Sequence, residues 1–279
     1  MTRQVSWAVV LGLALVAATV GCDRGSPSAQ PSVCAVPTSA PAGTYGLAGH
    51  APGGGGLELV DHGFTQFTGT RRVSLGAVVR NTSGLIAYRT GVKLRIRDAQ
   101  GRDAVHPVNA RELVMEIPVV RPGERVAVGA RVGTRDDVSL NGAADKVVRF
   151  DVELGSATWL PADDAALFPT FTATFRGIGR NSTDPVRGGI RYSVTSMSCR
   201  QMASRGTAAV FFDSSGAVVG GTIDGIGDPR RCGTDGYEKT SLETYVPKGI
   251  DEARTLLTEY CDVSRPEGGV FRPSGAPFN

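Results

Sequence analysis

The chain reads as an all-β protein built from two tandem antiparallel β-sandwiches, and three observations predict it. Apolar and polar residues alternate at period two over short runs, the spacing that turns one face of a half-buried strand inward. Turn sequences separate those runs, in a chain of 279 residues with 37 glycines and 16 prolines. A segment at 72–103 also recurs without a gap at 187–218. Ser83 matches Ser198, Gly91 matches Gly206, Asp98 matches Asp213 and Gly101 matches Gly216, each pair 115 positions apart. A gapless internal match of this length marks a duplicated structural unit.

The first copy supplies the clearest strands. Val73, Leu75, Ala77 and Val79 form the apolar face of a run at 73–80. At 92–97, Val92, Leu94 and Ile96 point inward and Lys93, Arg95 and Arg97 form an outward cationic face. A third run at 125–132 and a last one carrying Val148, Phe150 and Val152 repeat the scheme. Asn81-Thr82-Ser83-Gly84, Asp98-Ala99-Gln100-Gly101 and Arg121-Pro122-Gly123-Glu124 provide turn chemistry between them. In the second copy, 250–260 has room for a short helix, but the analogy with the first copy makes its end a strand.

The ends of the chain read differently. Arg3 precedes an apolar run at 7–20, the length of a signal-peptide core and shorter than the roughly 20 residues that a spanning helix needs. Gly21-Cys22 closes it and resembles a bacterial lipobox, which implies a diacylglycerol thioether on Cys22 and export to the outer face of the cell membrane. Ordinary secretory cleavage would instead leave Cys22 free or disulfide-bonded. The expected organisation is a lipoprotein signal peptide at 1–21, a flexible Gly/Pro/Ser-rich stalk at 22–56, one sandwich at 57–160, a second at 170–263 and a flexible tail at 264–279. Stalk and tail hold too few large apolar groups to offset the entropy of ordering them.

Composition fits a globular body, with 41% hydrophobic and 20% charged residues. A net charge of +3 is too small to argue for nucleic acid, and none is expected as a partner.

An apolar strand, Asn-Thr-Ser-Gly, a second strand ending in Asp-x-x-Gly and a Pro-Gly-Glu turn together resemble the FxLYD-type immunoglobulin-like domains of bacterial surface lipoproteins. The signature corresponds to Leu94-Arg95-Ile96-Arg97-Asp98 in the first copy and to Ala209-Val210-Phe211-Phe212-Asp213 in the second, each without the leading Phe. The resemblance implies two immunoglobulin-like sandwiches exposed outside the cell and transfers no catalytic residue. In such a sandwich, the loops holding Cys199 and Cys232 lie at the same end, which favours a Cys199–Cys232 disulfide with Cys34–Cys261 as the second. The rival pairing is Cys199–Cys261, leaving Cys34 and Cys232 to pair or stay free. Oxidised cysteines suit an exported chain.

The copies differ in surface chemistry. Lys93, Arg95 and Arg97 correspond to Ala208, Val210 and Phe212, so a face that is cationic in the first copy is apolar in the second. Something must cover Ala208, Val210 and Phe212: the first domain, the segment around 160–171, or a partner in the envelope. The cationic face is either solvated or a contact for an anionic envelope polymer.

Motifs for chemistry are sparse. His50, His62 and His106 lack zinc spacing, and no metal or cofactor is expected. Asp98-x-x-Gly101-x-Asp103 has too few ligands for calcium and reads as a hairpin turn. Asp136-Asp137 and Asp163-Asp164 fall in expected loops, and Gly177-Ile178-Gly179 lacks the context of a nucleotide loop. The sequence therefore points to a non-enzymatic, lipid-anchored interaction or scaffolding module of the bacterial envelope. The alternative is a solute- or envelope-polymer-binding lipoprotein serving a transporter or cell-wall system.

Overall fold

A computed structural model describes residues 44–46, 49–67, 69–135, 146–198, 201–225, 232–241 and 244–266. The expected signal peptide, Cys22, Cys34, Cys199, Asp136-Asp137 and the chain beyond 266 lie outside the described residues. Within the segment 22–56 expected to be a flexible stalk, Thr44–Gly46 instead pairs with Ala157–Trp159 and the Gly49 amide bonds the Gly155 carbonyl, so the sheet claims its last part.

The fold is all-β, as the sequence predicts. In chain order the strands are β1 (Thr44–Gly46), β2 (Leu57–Gln66), β3 (Arg72–Asn81), β4 (Ile86–Asp98), β5 (Val114–Val120), β6 (Arg125–Gly133), β7 (Val147–Leu154), β8 (Ala157–Leu160), β9 (Phe171–Arg180), β10 (Arg187–Ser196), β11 (Met202–Phe212), β12 (Val218–Asp224), β13 (Tyr237–Thr240), β14 (Thr244–Tyr245) and β15 (Leu256–Pro266). The segment at 250–260 begins as a 3-10 turn, Glu252–Arg254, capped by the Asp251 side chain on the Ala253 amide, and then enters β15. All strand pairings among the described residues are antiparallel.

The duplication is visible in the topology. Shifted by 115 residues, β2, β3 and β4 fall on β9, β10 and β11 to within a residue at either end. In the first half β3 is flanked by β2 and β6, while β4 is flanked by β5 and β7. In the second, β10 is flanked by β9 on one side and by β13 and β14 on the other, while β11 is flanked by β12 and β15. Each half is thus a pair of sheets. The turn after each second strand is closed alike. The Asp98 carboxylate accepts the Gln100 and Arg102 amides, and the Asp213 carboxylate accepts the Ser215 and Ala217 amides. Gly101 and Gly216 take positive φ at the point where each turn reverses.

The four sheets stack in layers. Val73, Leu75, Ala77 and Val79 of β3 meet Val92, Leu94 and Ile96 of β4 in a core that continues through Val210 and Phe212 of β11 into the second half. A separate core joins Ile190, Tyr192 and Val194 of β10 to Ala209 and Phe211 of β11. Strand β3 is therefore buried on both faces, including Ser74, Gly76 and Val78. Alternation alone predicts one buried face. The second is covered because the halves pack on each other.

One inward assignment changes. Val148 is 55% exposed and Val147 is buried in its place. The register shifts at this point, with Arg97 opposite Arg149 but Asp98 opposite Val147, so Val148 is the extra residue of a bulge.

Candidate functional site

The apolar patch that demanded a cover lies in a seam between the halves. Ala208, Val210 and Phe212 are buried in the same cluster as Val78 and Ala127 of the first half. The segment after Leu160 closes one end of the seam. Phe168 packs with Ile86 and Tyr88 of β4, Met202 of β11 and Cys232, with the Phe168 and Tyr88 rings 5.6 Å apart.

The seam is unusual in bringing backbone against backbone. Gly63, Gly76 and Gly129 face one another across β2, β3 and β6, forming a row without side chains. Strand β12 lies along this row: a Cβ on Gly63 would overlap the Val218 carbonyl, one on Gly76 the Gly220 carbonyl and one on Gly129 the Thr222 carbonyl. Because β12 crosses three strands in succession, the two sheets pack with their strands crossed rather than aligned. A glycine in a strand interior is the sequence signal for such an approach, and these five positions, Gly220 and Gly221 included, carried it.

Polar groups at the seam are satisfied across it. The Ser74 hydroxyl donates to the Gly221 carbonyl at 2.7 Å and accepts the Gly221 amide at 2.9 Å. The Thr65 hydroxyl donates to the Val219 carbonyl at 2.7 Å, and the Val218 amide donates to Asp61 Oδ2 at 2.9 Å. On the edge strand β6, the Ala127 amide donates to Thr258 Oγ1 at 2.8 Å, and its carbonyl accepts the Tyr260 hydroxyl. Burial pushes the Tyr260 phenol far above its ordinary range, so it stays a donor.

A partly buried charge cluster joins the halves beside this seam. Arg89 Nε and Arg205 Nη2 converge on Glu116 Oε1 at 3.2 and 3.0 Å, and Arg205 Nη2 also reaches Asp262 Oδ2 at 2.7 Å. Both arginines sit at irregularities just before the matched glycines Gly91 and Gly206. Arg89 has φ 53, and β11 shifts register between Ser204 and Gly206.

The disulfide differs from both expected pairings. Cys232 bonds Cys261, with an S–S distance of 2.05 Å and Cα atoms 5.6 Å apart. Cys261 lies in β15, which pairs with β11 opposite Ser204, and the Met202 amide bonds the Cys232 carbonyl. Cys232 is thus stapled onto β15 rather than to Cys199. Glu259 lies beside these sulfurs, making the one group of metal-ligand type among the described residues, but the disulfide occupies both sulfurs.

Two carboxylates of β7, Asp151 and Glu153, partly offset the cationic face. Arg95 pairs with Glu153 at 3.0 Å, Arg97 with Asp151 at 3.9 Å, and Arg149 with Asp151 at 2.7 Å, while Lys93 lies opposite Glu153 in register. Alternation in Arg149, Asp151 and Glu153 held this signal. The His62 ring packs tilted against Phe150, centroids 5.6 Å apart, and His106 Nδ1 accepts the Val108 amide. Asp163 and Asp164 open a 3-10 turn at Ala162–Leu167, and Gly177 belongs to a bulge in β9.

A cleft of about 480 Å³ opens between the halves, lined by Thr65, Gln66, Phe67, Asp184, Val186 and Lys248 among others. It is partly apolar, with Pro185, Pro247 and Val219 in its wall. No protein-family model matches the chain, and no curated protein does.

Proposed function

We propose that the chain is a non-catalytic interaction or scaffolding module of the bacterial cell envelope, held at the outer face of the membrane by a lipid on Cys22, with sandwiches of the FxLYD immunoglobulin-like type. The observation that carries this reading is the seam. The apolar patch on β11 is consumed within the chain, and the glycine row locks two sandwiches into one body whose outer sheet faces remain for contact. The apolar run at 7–20 ending in Cys22 supports the anchor. In-cell photocrosslinking from Thr174, on an outer face, and from Val210, in the seam, tests the reading. Recurrent crosslinks to other envelope components from Thr174, with only internal ones from Val210, are expected. Partner crosslinks from Val210 and none from Thr174 would overturn it.

The cleft favours a second reading, a solute- or polymer-binding lipoprotein serving a transporter or cell-wall system. Its volume is in the range of small-ligand sites. Native mass spectrometry of the chain purified from its host tests it, since a small molecule should then co-purify.

A further inference from the structure

We propose that the outward face of the β9-β10-β13 sheet binds an oxyanion-bearing polysaccharide through Arg176 and Arg191. The proposal names the partner class for the envelope-module reading and rests on it.

Strand register builds the face. Thr172 lies opposite Thr195, and Thr174 opposite Ser193, which in turn faces Glu238; Arg191 faces Thr240. Register shifts between Arg191 and Tyr192, leaving Arg176 as the extra residue between Phe175 and Gly177. A bulge of this kind re-aims a side chain. Here it sets Arg176 beside Arg191 on the exposed side. Arg191 lies over Gly177, where a Cβ would stand 2.9 Å from its Nη2, and Gly177 has φ +128, so the floor under the guanidinium requires glycine. Arg176 Nε donates to Ser193 Oγ at 3.0 Å. Together with Tyr192, Glu238, Lys239 and Thr240, the two arginines line a shallow cleft of about 360 Å³.

Charge distinguishes this face from the one at the far end of the stack. There Arg95, Arg97 and Arg149 each hold a carboxylate of β7. Among the described residues, neither Arg176 nor Arg191 has a carboxylate partner. A guanidinium fork matches carboxylate and phosphate oxygens in pairs. The rows of threonine and serine offer donors and acceptors to sugar hydroxyls. Thr172, Thr174, Arg176, Arg191, Thr195, Glu238 and Thr240 are all exposed, and no large apolar side chain stands among them, which disfavours an acyl chain or an apolar protein surface.

Calorimetric titration of the full chain with polygalacturonate, with neutral dextran and with phosphatidylglycerol vesicles tests the proposal. Binding to polygalacturonate alone is expected, weakening with added salt. The double variant Arg176→Ala/Arg191→Ala should lose roughly tenfold or more in affinity, the scale of one or two charged contacts, while Arg95→Ala/Arg97→Ala keeps it. No binding to polygalacturonate, equal loss in both variants, or binding to the vesicles instead would overturn it. Absence of lipid on Cys22 would overturn the anchoring reading and leave this titration unchanged.

Discussion

Gly76 and Gly220, from opposite repeats, meet so closely that a Cβ on the first would overlap the carbonyl oxygen of the second. Nothing but hydrogen fits between the two backbones, so the seam depends on the row that Gly76 shares with Gly63 and Gly129.

Gly76→Ala should therefore cost about 1–3 kcal/mol, the range for overpacking a close-packed interior. Gly84, with open space where a Cβ would go, should change stability by no more than about 0.5 kcal/mol when replaced by Ala. Urea denaturation of the two variants checks the contrast, and equal midpoints would count against the seam.

Glu116→Gln removes the charge on which Arg89 and Arg205 converge. Arg205 is 8% exposed and keeps Asp262, so the expected loss is on the order of 1–3 kcal/mol. A double-mutant cycle with Arg205→Met should show strong coupling. Additive losses would mean that the arginine gains nothing from Glu116.

The two turn aspartates make stability depend on acid. Burial pushes the Asp98 carboxyl up, but the amide and guanidinium of Arg102 and the amide of Gln100 outweigh it and hold it below the ordinary value. At Asp213 the Ser215 hydroxyl, against a smaller effect of burial, lowers it with help from the Ala217, Ser215 and Gly216 amides. Since the unfolded chain takes up these protons first, the stabilisation is complete above the ordinary carboxylate range, about pH 4, and is lost as pH falls through the lower folded values. Asp98→Asn should flatten the fall in urea midpoint between pH 5 and the acid limit. An unchanged slope would contradict the assignment.

Reduction of Cys232–Cys261, which closes 29 residues, should lower stability by about 2–4 kcal/mol. Cys261→Ser should do the same without reductant, and peptide mapping of the oxidised chain should recover the Cys232–Cys261 crosslink. Recovery of Cys199–Cys232 instead would overturn the pairing.

Much of this fold was legible because alternation and the repeat are local. Val73, Leu75, Ala77 and Val79 announced their strand, and the spacing from Asp98 to Asp213 announced the second copy. What escaped depends on which surfaces meet. The burial of Ser74 and Val78 follows from β12 lying across them, and the carboxylate partners of Arg95 and Arg97 follow from β4 pairing with β7. The disulfide departs from expectation because a generic sandwich places the loop of Cys232 away from β15, whereas Cys232 lies against that strand at Cys261. The glycine row carried a signal of its own: strand glycines unexplained by turns point to a close backbone approach. Arg176 and Arg191 are too far apart in sequence to be paired without the register.

The central claim is that the glycine seam makes two repeats one structural unit. Differential scanning calorimetry of the full chain, with its disulfide intact, tests it most directly. A single transition whose van't Hoff enthalpy equals the calorimetric enthalpy is the predicted result. Two separable transitions, one for each repeat, would contradict it.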